Sequence, residues 1–289
     1  MKVWIEDQIV DDADARISVL DHGLLYGDGI FEGMRILAGR VLDLDRHLER
    51  FEGSARAIEL DPGVDRRRLA QIVLDTASAH AKAEAYVRLV VTRGTGLLGV
   101  DPASCREARV FCIVGTLALY PAGAGVSLAT VAIRRPDPDV LDPRVKSLNY
   151  LNNVMAKLAA RRSGADEALL LNRRGLVAEA SGANVFVFRG SVLSTPPVSD
   201  GALEGITRAR VLRLAAELGI PASERSLARY DLLTADEVFL TGSGAGIVPV
   251  HLLDGQRLSR GSLGQRLLER TRGYALEHGT PIPGLAGAA

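Results

Sequence analysis

Glu167-Ala168-Leu169-Leu170-Leu171-Asn172-Arg173-Arg174-Gly175-Leu176-Val177-Ala178-Glu179-Ala180-Ser181-Gly182-Ala183-Asn184-Val185-Phe186-Val187-Phe188 is the stretch on which the fold turns. Glu167 to Leu171 is a short apolar run. Asn172 to Gly175 has the residues of a turn, and Leu176 to Ala180, Asn184 to Phe188 and Val192-Leu193 follow as further short β-capable runs. Together they predict a compact β-meander. Upstream, the spacing predicts a helix that begins near Asn149 and stops at Gly164. Downstream, helices are expected at Thr207 to Leu218 and Leu263 to His278, with a strand at Glu237 to Thr241 between them. Interspersed strands and helices of this size make a mixed α/β chain, with the β-meander in its second half.

Toward the N-terminus, Val3 to Ile5 and Ile9-Val10 make a hairpin-sized pair, and Gly29 to Leu37 is an apolar strand that turns at Ala38-Gly39-Arg40 into Val41-Leu42. Leu48, Phe51, Ala55 and Ile58 recur at helical spacing after Asp45, a good N-cap residue, so Arg46 to Ile58 is expected as a helix. Asp65 to His80 repeats that logic. Ala85 to Thr92 and Ala108 to Val114 are β-branched runs fit for a sheet interior. At 289 residues, two domains are the better expectation. The small-residue segment 121–125 reads as the linker, which gives an N-terminal α/β domain over 1–120 and a larger C-terminal domain over 126–289.

Lysine plus arginine equals aspartate plus glutamate, 35 against 35. That balance lacks the basic field a nucleic-acid binder uses. Acidic residues follow Met1 too closely for a secretory leader, and no run of about 18 apolar residues occurs, so a cytoplasmic protein with no membrane role is expected. The five histidines, at 22, 47, 80, 251 and 278, lack metal-holding spacing. Cys105 and Cys112 have no second pair for a disulfide framework and read as small hydrophobes.

Gly94-Thr95-Gly96-Leu97-Leu98-Gly99 matches a dinucleotide fingerprint in letters, but Val100-Asp101-Pro102 and another strand follow it instead of the helix that would hold a pyrophosphate. It reads as a glycine-rich turn. Gly205-Ile206-Thr207 fits better: Thr207 is a natural N-cap, and the following helix would offer free amides to an anion, although an ordinary capped helix has the same letters. Thr241 to Gly246 adds a second small-residue turn directly after a strand. Lysine occurs only at 2, 82, 146 and 157. Lys146 precedes Ser147-Leu148-Asn149 at a helix entrance, where it is either a solvated surface residue or a displayed nucleophile. One lysine, a phosphate cradle and an acid are what Schiff-base chemistry on pyridoxal phosphate requires, and Glu179 is a candidate acid.

Six segments taken in order carry a resemblance: Asp21 to Arg35, His47-Leu48-Glu49-Arg50, Lys146 to Asn153, Glu179 to Phe186, Leu203 to Arg208 and Asp236 to Gly242. In these the chain resembles the fold-type IV pyridoxal-phosphate enzymes, a family that includes branched-chain aminotransferases, D-amino-acid aminotransferases and aminodeoxychorismate lyase. The likeness covers nearly the whole chain. It implies that Lys146 forms the Schiff base and then carries the proton of the substrate α-carbon, and that Glu179 pairs with the pyridine nitrogen. It further implies that Arg50, the Ile206 and Thr207 amides beside Gly205, and the Thr207 hydroxyl hold the phosphate. Leu203 would lie against the ring, and Ser243 would reach the phosphate from the second turn. A homodimer with cofactor bound at the domain boundary is part of the same implication.

Tyr86-Val87-Arg88 and Phe31-Glu32-Gly33-Met34-Arg35 look like the signatures of the branched-chain, L-specific type, with Tyr26 lining the side-chain pocket. In that reading Tyr86 and Arg88, with the Ser243 and Gly244 amides, orient the substrate carboxylate, and 2-oxoglutarate accepts the amino group. Two departures stand out. Gly242-Ser243-Gly244-Ala245-Gly246 replaces a common Gly-Thr-Ala-Ala-Glu, which gives the turn more backbone freedom, and Ala183 stands where the family often has Glu. D-amino-acid or (R)-amine transamination and aminodeoxychorismate cleavage are the alternatives inside the family. Outside it stands a non-enzymatic anion- or nucleotide-binding protein using Gly94 to Gly99 and Gly205 to Thr207.

Overall fold

The computed structural model describes residues 1–117, 120 and 125–285. It divides into two compact units, 1–117 with 145–149 and 272–289, and 118–144 with 150–271. The expected linker 121–125 lies outside the described residues except for Gly125.

In the first unit the chain runs β1 (Lys2–Ile5), β2 (Gln8–Asp11), α1 (His22–Tyr26), β3 (Gly29–Leu37), β4 (Arg40–Val41), α2 (Leu44–Ala57), α3 (Arg66–His80), β5 (Ala85–Thr92) and β6 (Arg109–Gly115). Asp65 caps α3 as its spacing predicts, accepting from the Arg68 amide. In α2 the cap falls two residues earlier than expected: Asp43, in the left-handed region at φ 51°, precedes Leu44, so Asp45 lies inside the first turn. Acidic charge there still complements the helix dipole. Both helices bury one face, Leu44, Leu48, Phe51 and Ala55 from α2 and Leu69, Ile72, Val73 and Ala77 from α3, in a core with Ile30, Met34, Ile36, Val87, Leu89 and Val91 of the sheet.

In the second unit follow β7 (Val126–Arg134), α4 (Pro138–Leu141), α5 (Leu151–Arg162), β8 (Glu167–Leu171), β9 (Val177–Ala180), β10 (Asn184–Arg189), β11 (Val192–Thr195), α6 (Ile206–Glu217), β12 (Ala222–Glu224), α7 (Arg229–Leu233), β13 (Glu237–Gly242), β14 (Gly246–Leu253) and β15 (Gln256–Arg257). Helix α8 (Leu263–His278) has its first residues in the second unit and its last in the first, and β16 (Thr280–Pro281) is the last strand among the described residues.

The first sheet has the order β16-β4-β3-β5-β6-β1-β2, and the second β12-β11-β10-β13-β14-β7-β8-β9. The expected meander is therefore two hairpins, β8 with β9 and β10 with β11, and not one continuous ladder. The reason is that both edges of β10 are occupied, by β11 and by β13, leaving none for β9. The continuous partition at 1–120 and 126–289 also differs from the observed units, which interleave. The last turns of the chain return to the first unit because β16 pairs with β4, the Tyr274 hydroxyl donates to Asp43 at 2.6 Å, and Ile282 is fully buried. Segment 145–149 joins that unit through Phe31 N–H to the Lys146 carbonyl, 2.9 Å, and Leu148 N–H to the Gly29 carbonyl, 2.9 Å. No helix among the described residues is long and apolar enough to cross a membrane.

Candidate active site

The backbone of β3 pins Lys146. With its carbonyl held by the Phe31 amide and its own N–H donating to Ser54 Oγ at 3.2 Å, its Nζ stands 4.5 Å from the centre of the Phe31 ring. The same ring receives the Arg88 guanidinium at 4.3 Å, and Arg88 Nη2 donates to the Tyr86 hydroxyl at 3.3 Å. Three segments distant in sequence, carrying Phe31, Tyr86 with Arg88, and Lys146, thus meet, because β3 and β5 pair antiparallel with Gly33 opposite Arg88 and the Lys146 carbonyl is bonded to Phe31. Gly33 gives the Tyr86 hydroxyl its room: a Cβ on it would lie 1.9 Å from that oxygen, so a larger residue would displace Tyr86.

Arg50, on α2, is held by Glu32 of β3. Its Nε and Nη2 donate to the two carboxylate oxygens at 2.7 and 2.9 Å, while His47 Nδ1 bonds Glu32 Oε2 at 2.7 Å. Burial alone would raise the Glu32 carboxyl, but Arg50 and His47 outweigh it and hold it well below the usual carboxylate range. Burial pushes His47 below its ordinary value, against the opposing pull of the Glu32 carboxylate.

In the second unit Glu179 is buried at the end of β9. Oε1 accepts from Arg135 at 2.8 Å. Oε2 accepts from Leu203 N–H at 3.0 Å and from the Asn184 amide at 3.2 Å. Asn184 also donates to the Leu203 carbonyl at 2.9 Å, and a Cβ on Gly205 would come within 1.9 Å of its side-chain oxygen. Gly205, and not Thr207, is the N-cap of α6, so Ile206 and Thr207 are its first two helical residues and their amides have no partner within the helix. The Thr207 and Ser243 hydroxyls face each other at 3.3 Å. Gly244 sits in the turn joining β13 to β14, where Gly242 pairs with Gly246.

Tyr26 and Arg35 have partners of their own. The Tyr26 hydroxyl accepts from Gly99 N–H at 2.7 Å, and Arg35 approaches Glu84 at 3.6 Å. Gly94 to Gly99 opens no α-helix: a single 3-10 turn at Pro102–Ser104 follows and then β6. Sequence reasoning gave no role to Arg135, Asn184, Glu32 or His47. Glu32 and His47 lie inside quoted segments, but the pairing that joins them to Arg50 exists only in the folded chain.

The chemistry of these donors fits pyridoxal phosphate. Two helix-start amides and two hydroxyls are a receptor for a dianion, a fixed buried carboxylate suits a protonated ring nitrogen, and a lysine amine suits an aldehyde.

Residues 29–253 match the family model for amino-transferase class IV. The chain belongs to the class IV aminotransferases, and it is an aminotransferase enzyme. Its relatives narrow the picture. A Methanocaldococcus jannaschii protein assigned as a branched-chain-amino-acid aminotransferase is 45% identical over 265 residues, covering 92% of each chain. The crystal structure of branched-chain aminotransferase from Thermoproteus uzoniensis with norvaline superposes with a TM-score of 0.90 at 37% identity, covering 96% of this chain and 94% of that one. The branched-chain amino acid aminotransferase from Thermobaculum terrenum in its PLP-form superposes with a TM-score of 0.85 at 27% identity, covering 94% of this chain and 93% of that one.

Proposed function

We propose that the protein is a pyridoxal-phosphate transaminase that moves the amino group of a branched-chain L-amino acid, leucine, isoleucine or valine, to 2-oxoglutarate. One observation carries this reading: the Lys146 amine and the Arg88 guanidinium both sit on the Phe31 ring. An α-amino acid carries its carboxylate and its reacting C–H on one carbon, so the group that moves the proton and the group that holds the carboxylate must lie within one small molecule's reach.

The chemistry supplied by bound pyridoxal phosphate is an aldehyde that condenses with amines and a ring that takes up the electrons of the broken Cα–H bond. Lys146 Nζ, when uncharged, would take the proton from the substrate α-carbon and deliver it to the cofactor's C4′ carbon. Glu179 offers a carboxylate oxygen to the ring nitrogen. Ile206 and Thr207 amides, the Thr207 and Ser243 hydroxyls and Arg50 hold the phosphate, and Leu203 lies against the ring. Tyr86, Arg88 and the Ser243 and Gly244 amides orient the substrate carboxylate. Phe31, Tyr26 and Arg35 line the remainder, whose apolar part separates leucine from valine by about 1 to 3 kcal/mol per methylene.

The reading includes a cytoplasmic homodimer. Support comes from exposed apolar surface in each unit. In the first, Val19, Leu24, Leu97, Leu98 and Val100 are largely exposed, on segments joined by His22 Nε2 to the Leu97 carbonyl, 2.9 Å. In the second, Leu151, Val154, Met155 and Leu158 recur along the outer face of α5. Patches of this kind mark association sites.

Half-reactions followed by cofactor absorbance test the assignment. L-leucine, L-isoleucine and L-valine are expected to convert the bound aldehyde form faster than D-alanine or an (R)-amine does. Faster conversion by D-alanine would overturn the substrate class, and no visible band after cofactor addition would favour the anion-binding alternative.

A further inference from the structure

The carboxylate of Glu179 is nearly saturated by its own chain. An ionised carboxylate has about four acceptor sites. Leu203 N–H and the Asn184 amide take both sites on Oε2, and Arg135 Nη2 takes one on Oε1. Among the contacts of the described residues, one acceptor site remains, on the oxygen that Arg135 holds.

Arg135 is itself fixed. It is 7% exposed, Nε donates to the Gly201 carbonyl at 3.2 Å, and Nη1 donates to Asn153 Oδ1 at 3.1 Å. Asn153 in turn donates to the Ser181 carbonyl at 2.7 Å, so the guanidinium ties β9's end to the segment that carries Leu203. Its three nitrogens point to three different partners in the fixed geometry of a planar fork, which a single ammonium nitrogen does not reproduce.

We propose that Arg135 is a positioning residue for the transamination: it fixes Glu179 so that the one remaining site on Oε1 receives the N–H of the cofactor's ring nitrogen. This rests on the assignment of Glu179 as the partner of the ring nitrogen. A carboxylate released from the guanidinium can turn away from the ring, and a ring N–H without an acceptor in line holds its proton less well. A ring without that proton takes up electrons less readily, so loss of Arg135 slows proton removal from the substrate without weakening its binding.

The test compares Arg135→Gln, Arg135→Lys and Glu179→Gln, each loaded with cofactor labelled with nitrogen-15 in the ring. Two quantities are read, the ring-nitrogen chemical shift and single-turnover kinetics with L-leucine. Arg135→Gln is expected to move the shift toward the unprotonated value and to lower the maximal rate about 10- to 100-fold. The substrate concentration for half-maximal rate stays within about twofold, because the carboxylate receptor is untouched. Arg135→Lys restores charge without the fork and falls between the two. If Arg135→Gln does not fold, Arg135→Lys alone decides, with a shift in the same direction and a loss of about threefold or more expected. Wild-type shift and rate in the arginine variants, with both lost in Glu179→Gln, overturn the proposal and leave the Glu179 assignment standing. Wild-type values in Glu179→Gln remove the assignment and the proposal together.

Discussion

Glu32 grips Arg50 with both carboxylate oxygens, at 2.7 and 2.9 Å, from a site with no solvent exposure. The guanidinium proposed for the phosphate is therefore set in place by the folded chain before any anion arrives. Glu32→Gln removes the charge that matches it and leaves a partly buried cation. Loss of one partner of a buried pair costs about 3 to 5 kcal/mol. Urea unfolding of the apoprotein should show a loss in that range, and cofactor titration a weaker affinity; unchanged stability would mean that the pair contributes nothing.

Acid should destabilise the apoprotein in two stages. His47 is held below its ordinary value, so the unfolded chain binds the extra proton and stability falls as pH drops through the unfolded histidine value, about 6.5. Glu32 is also held low, so its contribution is complete above the unfolded value of about 4.3 and is lost as pH falls below it. Unfolding free energy measured from pH 8 to pH 3 should decline below about 6.5 and more steeply below about 4. His47→Gln should flatten the first stage.

The Tyr86 hydroxyl occupies the space that a Cβ on Gly33 would need. Gly33→Ala should displace Tyr86 and raise KM for L-leucine about tenfold or more while the protein remains folded. Tyr86→Phe in the same chain removes the atom in collision, so the double variant should lose less than the two single effects combined. Strict additivity in the double-mutant cycle would count against the contact.

Glu237 opens β13, and its two oxygens accept from the Leu263 and Gly264 amides at 2.8 Å each, capping α8. Glu237→Ala leaves those amides unpaired in a buried place and should lower stability by about 2 kcal/mol. Calorimetry should register this as a fall in Tm with little change in the maximal rate.

Local patterning made much of the fold legible. Gly29–Leu37, Ala85–Thr92, Glu167–Leu171 and Leu263–His278 have the bounds expected from their periodicity and flanking turns. What the letters do not carry is pairing at a distance. The separation of β9 from β10, the return of residues 280–281 to β4 and the bond from Arg135 to Glu179 each depend on partners far along the chain. Caps were read to within two residues, since Leu42-Asp43-Leu44-Asp45 offers two aspartates and only the backbone angle of Asp43 decides between them. The residues proposed for the site were legible because the segments bearing them resemble a family. Their supporting shell, Arg135, Asn184, Glu32 and His47, was not, because a buried polar residue in a strand or loop reads like any other.

Transamination by this chain requires Lys146 to be the amine that binds the cofactor aldehyde. Borohydride reduction of the loaded protein, followed by proteolysis and mass spectrometry, tests it directly. The phosphopyridoxyl mass is expected on the peptide containing Val145-Lys146-Ser147, and on none containing Lys2, Lys82 or Lys157. A label on one of those three, or no label with cofactor bound, would contradict it.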